Sequence, residues 1–316
     1  MWFRQLEYLV ALSREHHFAR AAEACSVSQP ALSEGIRKLE EELDVPLIRR
    51  GRTFEGLTAE GDRAVIWAQR ILSDRHSLTE DISAMRTGLA GVLRIGSVPT
   101  ASTAVSLLTE PFCDRHPLAR VQVVSGLRSD DLLSQLLNFE IDAGVTYHDQ
   151  NMSDSFTMLP LYREKYVLLT GREHEVPGRT SATWQEAAEL PLCLLSAEMQ
   201  GRRAIDEIFA EAHVHPIPLI ETDSVASLIA HVRMGRWASV IPCAWLHVFG
   251  VPEGMRAVPL IEPVRAEPIG LVTLSRRPES VMSRALTAAT RNIDLRFLEQ
   301  LPKNTRHRGA TDNHSL

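Results

Sequence analysis

The amino-acid sequence predicts a small helical domain, then one long helix, then an α/β domain with mainly parallel strands. Three observations support this prediction. The chain has 316 residues, which is more than one hydrophobic core usually serves. Its first 58 residues contain short apolar helical repeats separated by compact turns, and residues 59–88 contain no proline. From residue 91 onward, short β-branched runs alternate with helical patterns, as in α/β domains.

Composition excludes several classes of protein. Hydrophobic residues make up 44% of the chain and charged residues 23%, which is close to average globular usage and unlike a wholly disordered or fibrous chain. Aromatic residues make up only 6%, so we expect aliphatic cores. The formal net charge is −6, so any nucleic-acid binding has to use a local basic patch.

No metal, redox or membrane motif is apparent. The cysteines lie far apart, and we expect small buried apolar side chains in a reducing compartment at Cys25, Cys113, Cys193 and Cys243. The histidines that invite a metal interpretation lack a third ligand, and we expect them at the surface. The longest apolar run, around residues 240–251, is too short to span a bilayer. We therefore expect a soluble cytoplasmic protein without a cofactor, metal or membrane association.

The N-terminal region has the spacing of a helix-turn-helix. Ser28 stands where an N-cap belongs, and Pro30 falls in the first turn that follows. Gln29, Ser33 and Arg37 then share one helix face, with side chains that suit the edges of bases in a major groove.

The balance of charges in the N-terminal region leaves open whether this region binds DNA. A basic loop at residues 48–52 suits phosphates or a minor groove. Residues 1–88, however, hold twelve basic and fourteen acidic residues. We therefore expect the acidic run at residues 40–44 to point away from DNA. On this pattern alone, a three-helix domain without a DNA role is as plausible as a DNA-binding one.

The segment from residue 59 to residue 90 predicts a helix with a coiled-coil-like seam. Apolar residues recur at steps of three and four, interrupted only at Arg75: Ala64, Ala68, Ile71, Leu78, Ile82, Met85 and Leu89. Because a lone helix of this length is marginal in water, we expect it to pack on a second copy of itself. The alternative is a surface helix folded back on one domain.

The α/β region predicts eight strands and five helices. The strands are expected at residues 92–96, 121–125, 141–145, 166–170, 192–195, 218–221, 238–241 and 269–274. The helices are expected at residues 103–115, 129–138, 202–212, 224–235 and 279–301. The polar residues 302–316 are predicted to be a disordered tail.

A ligand site is expected beyond the carboxyl ends of these strands. Hydroxyls and backbone N–H groups at the starts of helices suit an anion, and a nearby arginine could bind a carboxylate. The candidate residues are Ser97, Thr100, Ala101, Ser102, Ser129, Met199, Gln200 and Arg202. The alternative for the hydroxyl residues is that they only cap helices.

Several stretches of the first 61 residues resemble the N-terminal domain of LysR-type transcriptional regulators. They read FRQLEYL (3–9), FARAAE (18–23), VSQPALS (27–33), IRKLE (36–40), LDVPLIR (43–49) and LTAEG (57–61). The chain departs from the family pattern at Ala19, Glu34 and Ile48, where the family usually has Ser or Thr, a basic or neutral polar residue, and Phe. We expect Ala19 to weaken the cap of its helix. We expect Glu34 to alter base readout, since it could accept from cytosine but repels phosphate.

The resemblance implies a domain plan. A winged helix-turn-helix at residues 1–58 and a dimerising linker helix at 59–90 precede an effector domain at 91–301 that resembles periplasmic binding proteins. Subdomain I would comprise residues 92–161 and 268–301, and subdomain II residues 162–267. Carried over by position, the DNA-binding residues would be Gln29, Pro30, Ser33, Glu34, Arg37, Arg49, Arg50 and Arg52, the last three in the wing. The effector contacts would include Thr100, Ser129, Met199 and Gln200.

The function implied is transcriptional regulation without catalysis. The partners would be promoter DNA, RNA polymerase, a small anionic effector and a second copy of the chain, in a homodimer or homotetramer. The alternative is an enzyme or small-molecule-binding protein with an accessory helical domain. The sequence contains no GxSxG, HExxH, P-loop or GxGxxG motif that would favour catalysis.

Overall fold

The computed structural model describes residues 1–50, 54–149, 152–171 and 180–302. The chain forms two compact units. Residues 1–91 together with 135–141 make up the first, and the remaining residues from 92 onward make up the second. The predicted tail begins at residue 302, and its residues 303–316 lie outside the described residues.

Three helices and a two-stranded antiparallel ribbon form the N-terminal part of the first unit. The helices are α1 (Phe3–Glu15), α2 (Phe18–Ala24) and α3 (Gln29–Leu43), and the ribbon pairs β1 (Ile48–Arg50) with β2 (Phe54–Leu57). The core between the helices is aliphatic, as expected, and consists largely of Leu6, Leu9, Leu12, Leu32, Ile36 and Leu39. The ribbon supplies the wing that the family resemblance implied.

Local side-chain bonds define where α2 and α3 begin. Ser28 caps α3 by accepting a hydrogen bond from the Ala31 N–H at 3.4 Å, as predicted. The expectation for α2 was wrong. His17, not residue 19, occupies the N-cap, and its Nδ1 accepts from the Ala19 N–H at 3.2 Å. The His17 imidazole therefore accepts the capping hydrogen bond that a Ser or Thr hydroxyl usually accepts.

A single long helix, α4 (Ala59–Thr87), follows the wing. At about 1.5 Å per residue its 29 residues span about 43 Å. Val65 and Ala68 are buried in the core of the three helices, whereas Leu78 and Met85 are 65% and 77% exposed. The predicted apolar seam is therefore uncovered at Leu78, Ile82 and Met85, whereas Leu89, just beyond the helix, is buried. Gly61 is required near the start, because a Cβ there would lie 2.0 Å from the carbonyl oxygen of Leu47.

The second unit contains a five-stranded sheet in the order β4-β3-β5-β13-β6. Its strands are β3 (Gly91–Ser97), β4 (Ala119–Ser125), β5 (Ala143–Tyr147), β6 (Phe156–Glu164) and β13 (Glu267–Leu274). The helices in this part of the chain are α5 (Ser102–Arg115), α6 (Ser129–Leu137) and α11 (Val281–Thr290).

A four-stranded sheet in the order β11-β7-β12-β8 and the pair β10-β9 complete the second unit. The strands are β7 (Tyr166–Gly171), β8 (Ala182–Thr183), β9 (Cys193–Leu195), β10 (Ile220–Thr222), β11 (Ala238–Pro242) and β12 (Met255–Ile261). The helices are α7 (Trp184–Ala188), α8 (Gln200–Glu211), α9 (Val225–Arg233) and α10 (Cys243–Phe249). The chain passes from the five-stranded sheet to this one at Lys165, and returns at residues 262–266.

The expectation of mainly parallel strands was wrong. Of the described pairs, β3-β5, β9-β10 and β8-β12 are parallel, while β13 is antiparallel to β5 and β6, and β7 is antiparallel to β11 and β12. The strands β6, β8 and β12 were missed. Proline interrupts the strand pattern of β6 at Pro160 and of β12 at Pro259. The predicted subdomain boundary after residue 161 falls inside β6, which stays in the five-stranded sheet to Glu164.

The predicted helix at residues 279–301 was also too long. The helix α11 ends at Thr290, and a separate 3-10 turn covers Arg296–Glu299. Asp294 separates the two, because its carboxylate accepts from the N–H and the guanidinium of Arg296. Such local side-chain bonds compete with helix continuation.

Burial of the cysteines agrees only in part with the expectation. Cys193 and Cys243 are buried, Cys25 is half-buried, and Cys113 is exposed on α5. Burial raises the pKa of the Cys193 thiol to about 11 and that of the Cys243 thiol to about 12. Both thiols are therefore protonated and poor nucleophiles at neutral pH.

Candidate nucleic-acid interface and ligand cleft

The outer face of α3 presents the polar residues that the sequence placed there. Gln29, Pro30, Glu34 and Arg37 are exposed and Ser33 is half-buried. The opposite face is buried at Leu32, Ile36 and Leu39. The amphipathic pattern therefore fixes which face is open to a partner.

Arg37 does not project freely from this face. Its Nε and Nη2 donate to the two carboxylate oxygens of Glu34 at 2.8 and 2.7 Å, and its Nη1 donates to Glu41. The hydrogen bonds from Arg37 lower the pKa of the Glu34 carboxyl. The spacings i,i+3 and i,i+4 could have revealed this ion-pair cluster from the sequence. Because solvent screens exposed ion pairs of this kind, a phosphate or a base could replace Glu34 as the partner of the guanidinium.

Glu40 has a role that the sequence did not suggest. The acidic run was expected to point away from DNA, toward solvent or a partner, but Glu40 is only 9% exposed. Its Oε1 accepts from the backbone N–H groups of Leu47 and Ile48 at 2.9 and 3.2 Å. This carboxylate therefore ties the first strand of the wing to α3.

Of the three arginines predicted for the wing, the structure describes the side chain of Arg49 only. Arg49 is exposed next to the buried Ile48. Arg50 belongs to β1, but its side chain, like the whole of Arg52, lies outside what the structure describes.

In the second unit, Thr100 lies at the centre of a buried hydrogen-bond network. Residues Pro99–Ala101 form a 3-10 turn after β3. The Thr100 hydroxyl and the Tyr147 hydroxyl are 2.7 Å apart, and Tyr147 donates to Glu164 Oε1 at 2.6 Å. The Trp245 indole N–H donates to the Thr100 carbonyl at 2.7 Å.

The start of α8 meets this network directly. A Cβ on Gly201 would lie 2.5 Å from Thr100 Cγ2 and 2.7 Å from the Tyr147 hydroxyl. The structure therefore brings together the turn at Thr100 and the loop at Met199 and Gln200, which are about 100 positions apart in the sequence. Met199 occupies the N-cap of α8, and its side chain makes no capping hydrogen bond to the first turn of that helix.

The remaining hydroxyl candidates differ in their contacts. Ser102 donates to the Pro99 carbonyl at 2.8 Å, which favours a local structural role. Ser129 and Thr146 share a hydrogen bond at 3.1 Å. Ser97 is buried, and its Oγ has no partner among the described residues, while Ala101 is fully buried beside Thr100.

Arg202 does not fit the predicted role of an effector cation. Its Nε donates to Asp206 at 2.8 Å, and its Nη1 donates to the Leu195 carbonyl and to Glu221, both at 2.7 Å. The side chain is buried, so both carboxylates neutralise it inside the fold. Arg202 is therefore not available to bind an effector carboxylate, contrary to the prediction.

Glu164 is the residue that sequence reasoning missed. It is 1% exposed, and its Oε2 has no partner among the described residues. Burial raises the pKa of its carboxyl to about 7, although the hydrogen bond from Tyr147 acts in the opposite direction. Burial also raises the pKa of Tyr147. No local pattern signals that this glutamate at the end of β6 is enclosed.

The described residues hold no group of three metal-ligating side chains, and no described helix is long and apolar enough to cross a bilayer.

Two family models match the chain. Residues 3–62 match the one described as "Bacterial regulatory helix-turn-helix protein, lysR family", and residues 86–292 match the one described as "LysR substrate binding domain".

Similar proteins and structures cover most of the chain. A hydrogen peroxide-inducible genes activator of Haemophilus influenzae is 28% identical over 297 residues, which are 89% of this chain and 92% of that protein. A probable hydrogen peroxide-inducible genes activator of Streptomyces viridosporus is 32% identical over 248 residues, 75% of this chain and 76% of that protein. Full-length OxyR from Pseudomonas aeruginosa, solved as a variant, has a similar fold, with a TM-score of 0.73, 24% identity and coverage of 93% and 99% of the two chains. CbnR in complex with its target DNA gives a TM-score of 0.66 at 20% identity, with coverage of 92% and 99%.

Proposed function

The chain belongs to the LysR family of bacterial regulators. On that premise we propose that it binds promoter DNA as an oligomer and that a small metabolite, when bound, changes how the oligomer contacts the DNA. It is a regulator and not an enzyme. The observation that carries the proposal is the exposed polar face of α3, on a helix capped by Ser28 and followed by a wing.

We infer that Gln29 and Ser33 contact base edges directly. Both lie on the open face of α3, and their side chains can pair with adenine or with several edges. Arg49 on the wing would contact a phosphate. The ion pair between Glu34 and Arg37 would take part in binding as a whole. Glu34 would either hold the guanidinium in position for the DNA or be replaced by the DNA as its partner.

The oligomer would form along α4. Ile82 and Met85 are 52% and 77% exposed on a helix whose first half is anchored in the core. Burying apolar area stabilises by about 25 cal/mol per Å², so a second copy of α4 is a suitable partner. Whether dimers associate into tetramers would depend on the second unit.

The effector would bind between the turn at Thr100 and the start of α8. Hydroxyls at Thr100 and Ser129, with N–H groups at the start of α8, suit a small anion. A ligand there would set the distance between Thr100 and Gly201, and in this way alter the spacing of the DNA-binding units and their contact with RNA polymerase.

Thiol oxidation is a weaker explanation for the response, although several relatives are named for hydrogen peroxide. A peroxide-reactive cysteine has to form a thiolate. Burial opposes this at Cys193 and Cys243, whose thiols have pKa values of about 11 and 12. Cys113 is exposed on α5, so burial bears only on the other thiols. We propose a bound metabolite as the signal, in a regulator that acts in the cytoplasm.

Footprinting tests the proposal. The full-length protein is bound to the fragment upstream of its own reading frame at several salt concentrations. Protection should weaken steeply with salt, as expected when basic residues displace counterions from phosphates. The Gln29→Ala/Ser33→Ala variant should lose site-specific protection but keep salt-dependent non-specific binding, and Gln185→Ala serves as a control in the second unit. Absence of any protected site at low salt would refute DNA binding.

A further inference from the structure

A separate cavity of about 260 Å³ lies beside the two connections between the sheets of the second unit. Lys165, which joins β6 to β7, and Pro263–Arg265, which join β12 to β13, line it together with residues 299–301. None of the predicted effector residues lines this cavity. It is therefore a different site from the one at Thr100.

The wall of this cavity is largely apolar. The rings of Tyr166 and Trp184 are in edge-to-face contact, with centroids 6.3 Å apart. Leu260 and Cys243 complete this part of the lining, and both are buried. Aromatic and aliphatic walls with a few polar groups are typical of small-molecule sites, and the volume of about 260 Å³ lies just below the usual range of roughly 300–1,000 Å³ and so suits a small ligand.

Three charged residues also line the cavity, and they are not equivalent. Arg265 forms ion pairs with Glu207, Glu211 and Glu267 at 3.3, 3.4 and 3.0 Å, so its charge is already neutralised. Glu299 accepts a hydrogen bond from the Arg163 N–H at 3.1 Å. Within the described part of the chain, no ion pair or hydrogen bond holds the Lys165 ammonium.

We propose that this cavity binds a small carboxylic acid with an apolar ring or short chain. The apolar body would lie against Tyr166 and Trp184, and its carboxylate would pair with the Lys165 ammonium. Such a ligand touches both connections between the sheets, so it would alter how the cleft at Thr100 closes. This regulatory consequence rests on the proposed function, whereas the binding itself does not.

Binding of 4-fluorobenzoate to the full-length protein, followed by ¹⁹F NMR without DNA, tests the site. The neutral 4-fluorobenzamide is the matched probe and should bind at least tenfold more weakly. Lys165→Met should weaken 4-fluorobenzoate at least tenfold and leave the amide unchanged. Lys38→Met, which removes the same charge from an exposed position on α3, should have no effect.

Two further variants separate this cavity from the cleft. Val264 is 69% exposed at the cavity, so Val264→Trp should obstruct it without disturbing the core, while Thr100→Val alters the cleft. Loss of 4-fluorobenzoate binding in Val264→Trp, with retention in Thr100→Val, supports the proposal. Loss only in Thr100→Val, equal binding of acid and amide, or no saturable binding up to about 10 mM overturns it. Because DNA is absent, these outcomes do not depend on regulator activity.

Discussion

Substitution of Glu164 by glutamine should make the second unit progressively more stable than the natural chain as the pH rises from 4.5 to about 7. Glutamine keeps an acceptor for the Tyr147 hydroxyl, which is 2.6 Å from Glu164 Oε1, but removes the ionisable group. In the folded protein burial raises the pKa of this carboxyl from 4.5 to about 7. The carboxyl is therefore protonated in the folded state under conditions where the unfolded chain has released its proton.

The sign of the effect follows from this difference. Because the folded pKa is the higher one, the favourable contribution is fully present below pH 4.5 and is lost as the pH rises to about 7. At about 1.4 kcal/mol for each pH unit, the loss amounts to about 3 kcal/mol. Glu164→Gln does not ionise, so its stability relative to the natural chain should rise by about this amount across the same window.

Urea unfolding between pH 4.5 and 8, monitored by near-UV circular dichroism, measures this difference. Glu110→Gln, which removes a carboxylate from an exposed position on α5, controls for the loss of one acid. A difference between Glu164→Gln and the natural chain that stays constant from pH 4.5 to pH 8 would falsify the conclusion that burial holds this carboxyl in its neutral form.

Four further changes follow from the same structure. Gly201→Ala places a Cβ 2.5 Å from Thr100 Cγ2, so it should displace the start of α8 and abolish the effector response while DNA affinity is kept; normal induction in a reporter assay would contradict this. Ser28→Ala removes the cap of α3 and should lower the free energy of unfolding by about 1 kcal/mol in chemical denaturation, and an unchanged midpoint would show that the cap contributes nothing. Glu34→Gln should remove one of the two carboxylates that hold Arg37, leaving Glu41, and should strengthen non-specific DNA binding, with a steeper salt dependence in fluorescence anisotropy; weaker binding would mean that Glu34 instead orients the arginine. Met85→Asp should shift the sedimentation velocity profile toward monomers, because it puts a charge on the exposed seam of α4, and an intact oligomer would place the interface elsewhere.

Local pattern predicted the N-terminal unit well. The Ser28 cap, the start of α3 at Gln29 and the long helix α4 all depend on residues within one or two turns of each other, so neighbouring residues carry the information. The error at α2 shows the limit of this reasoning. An imidazole at His17 can accept the same hydrogen bond as a hydroxyl, and the pattern of usual caps does not include it.

The α/β unit was predicted less completely. Its buried strands were found because continuous apolar runs mark them, but strand direction was wrong where the chain changes sheets at Lys165 and at residues 262–266. Strand direction depends on which strands become neighbours after the chain folds. Nothing within a single strand encodes it.

The sequence by itself determined the order of the parts and the open face of α3, because short-range spacing specifies both. Only the tertiary structure decided which side chains are free to act. Arg202 is neutralised by Asp206 and Glu221, Glu40 ties down the wing, and Glu164 is enclosed beneath Thr100. The physical reason is that burial and ion pairing depend on residues far apart in the chain, and these contacts change both the charge and the availability of a group.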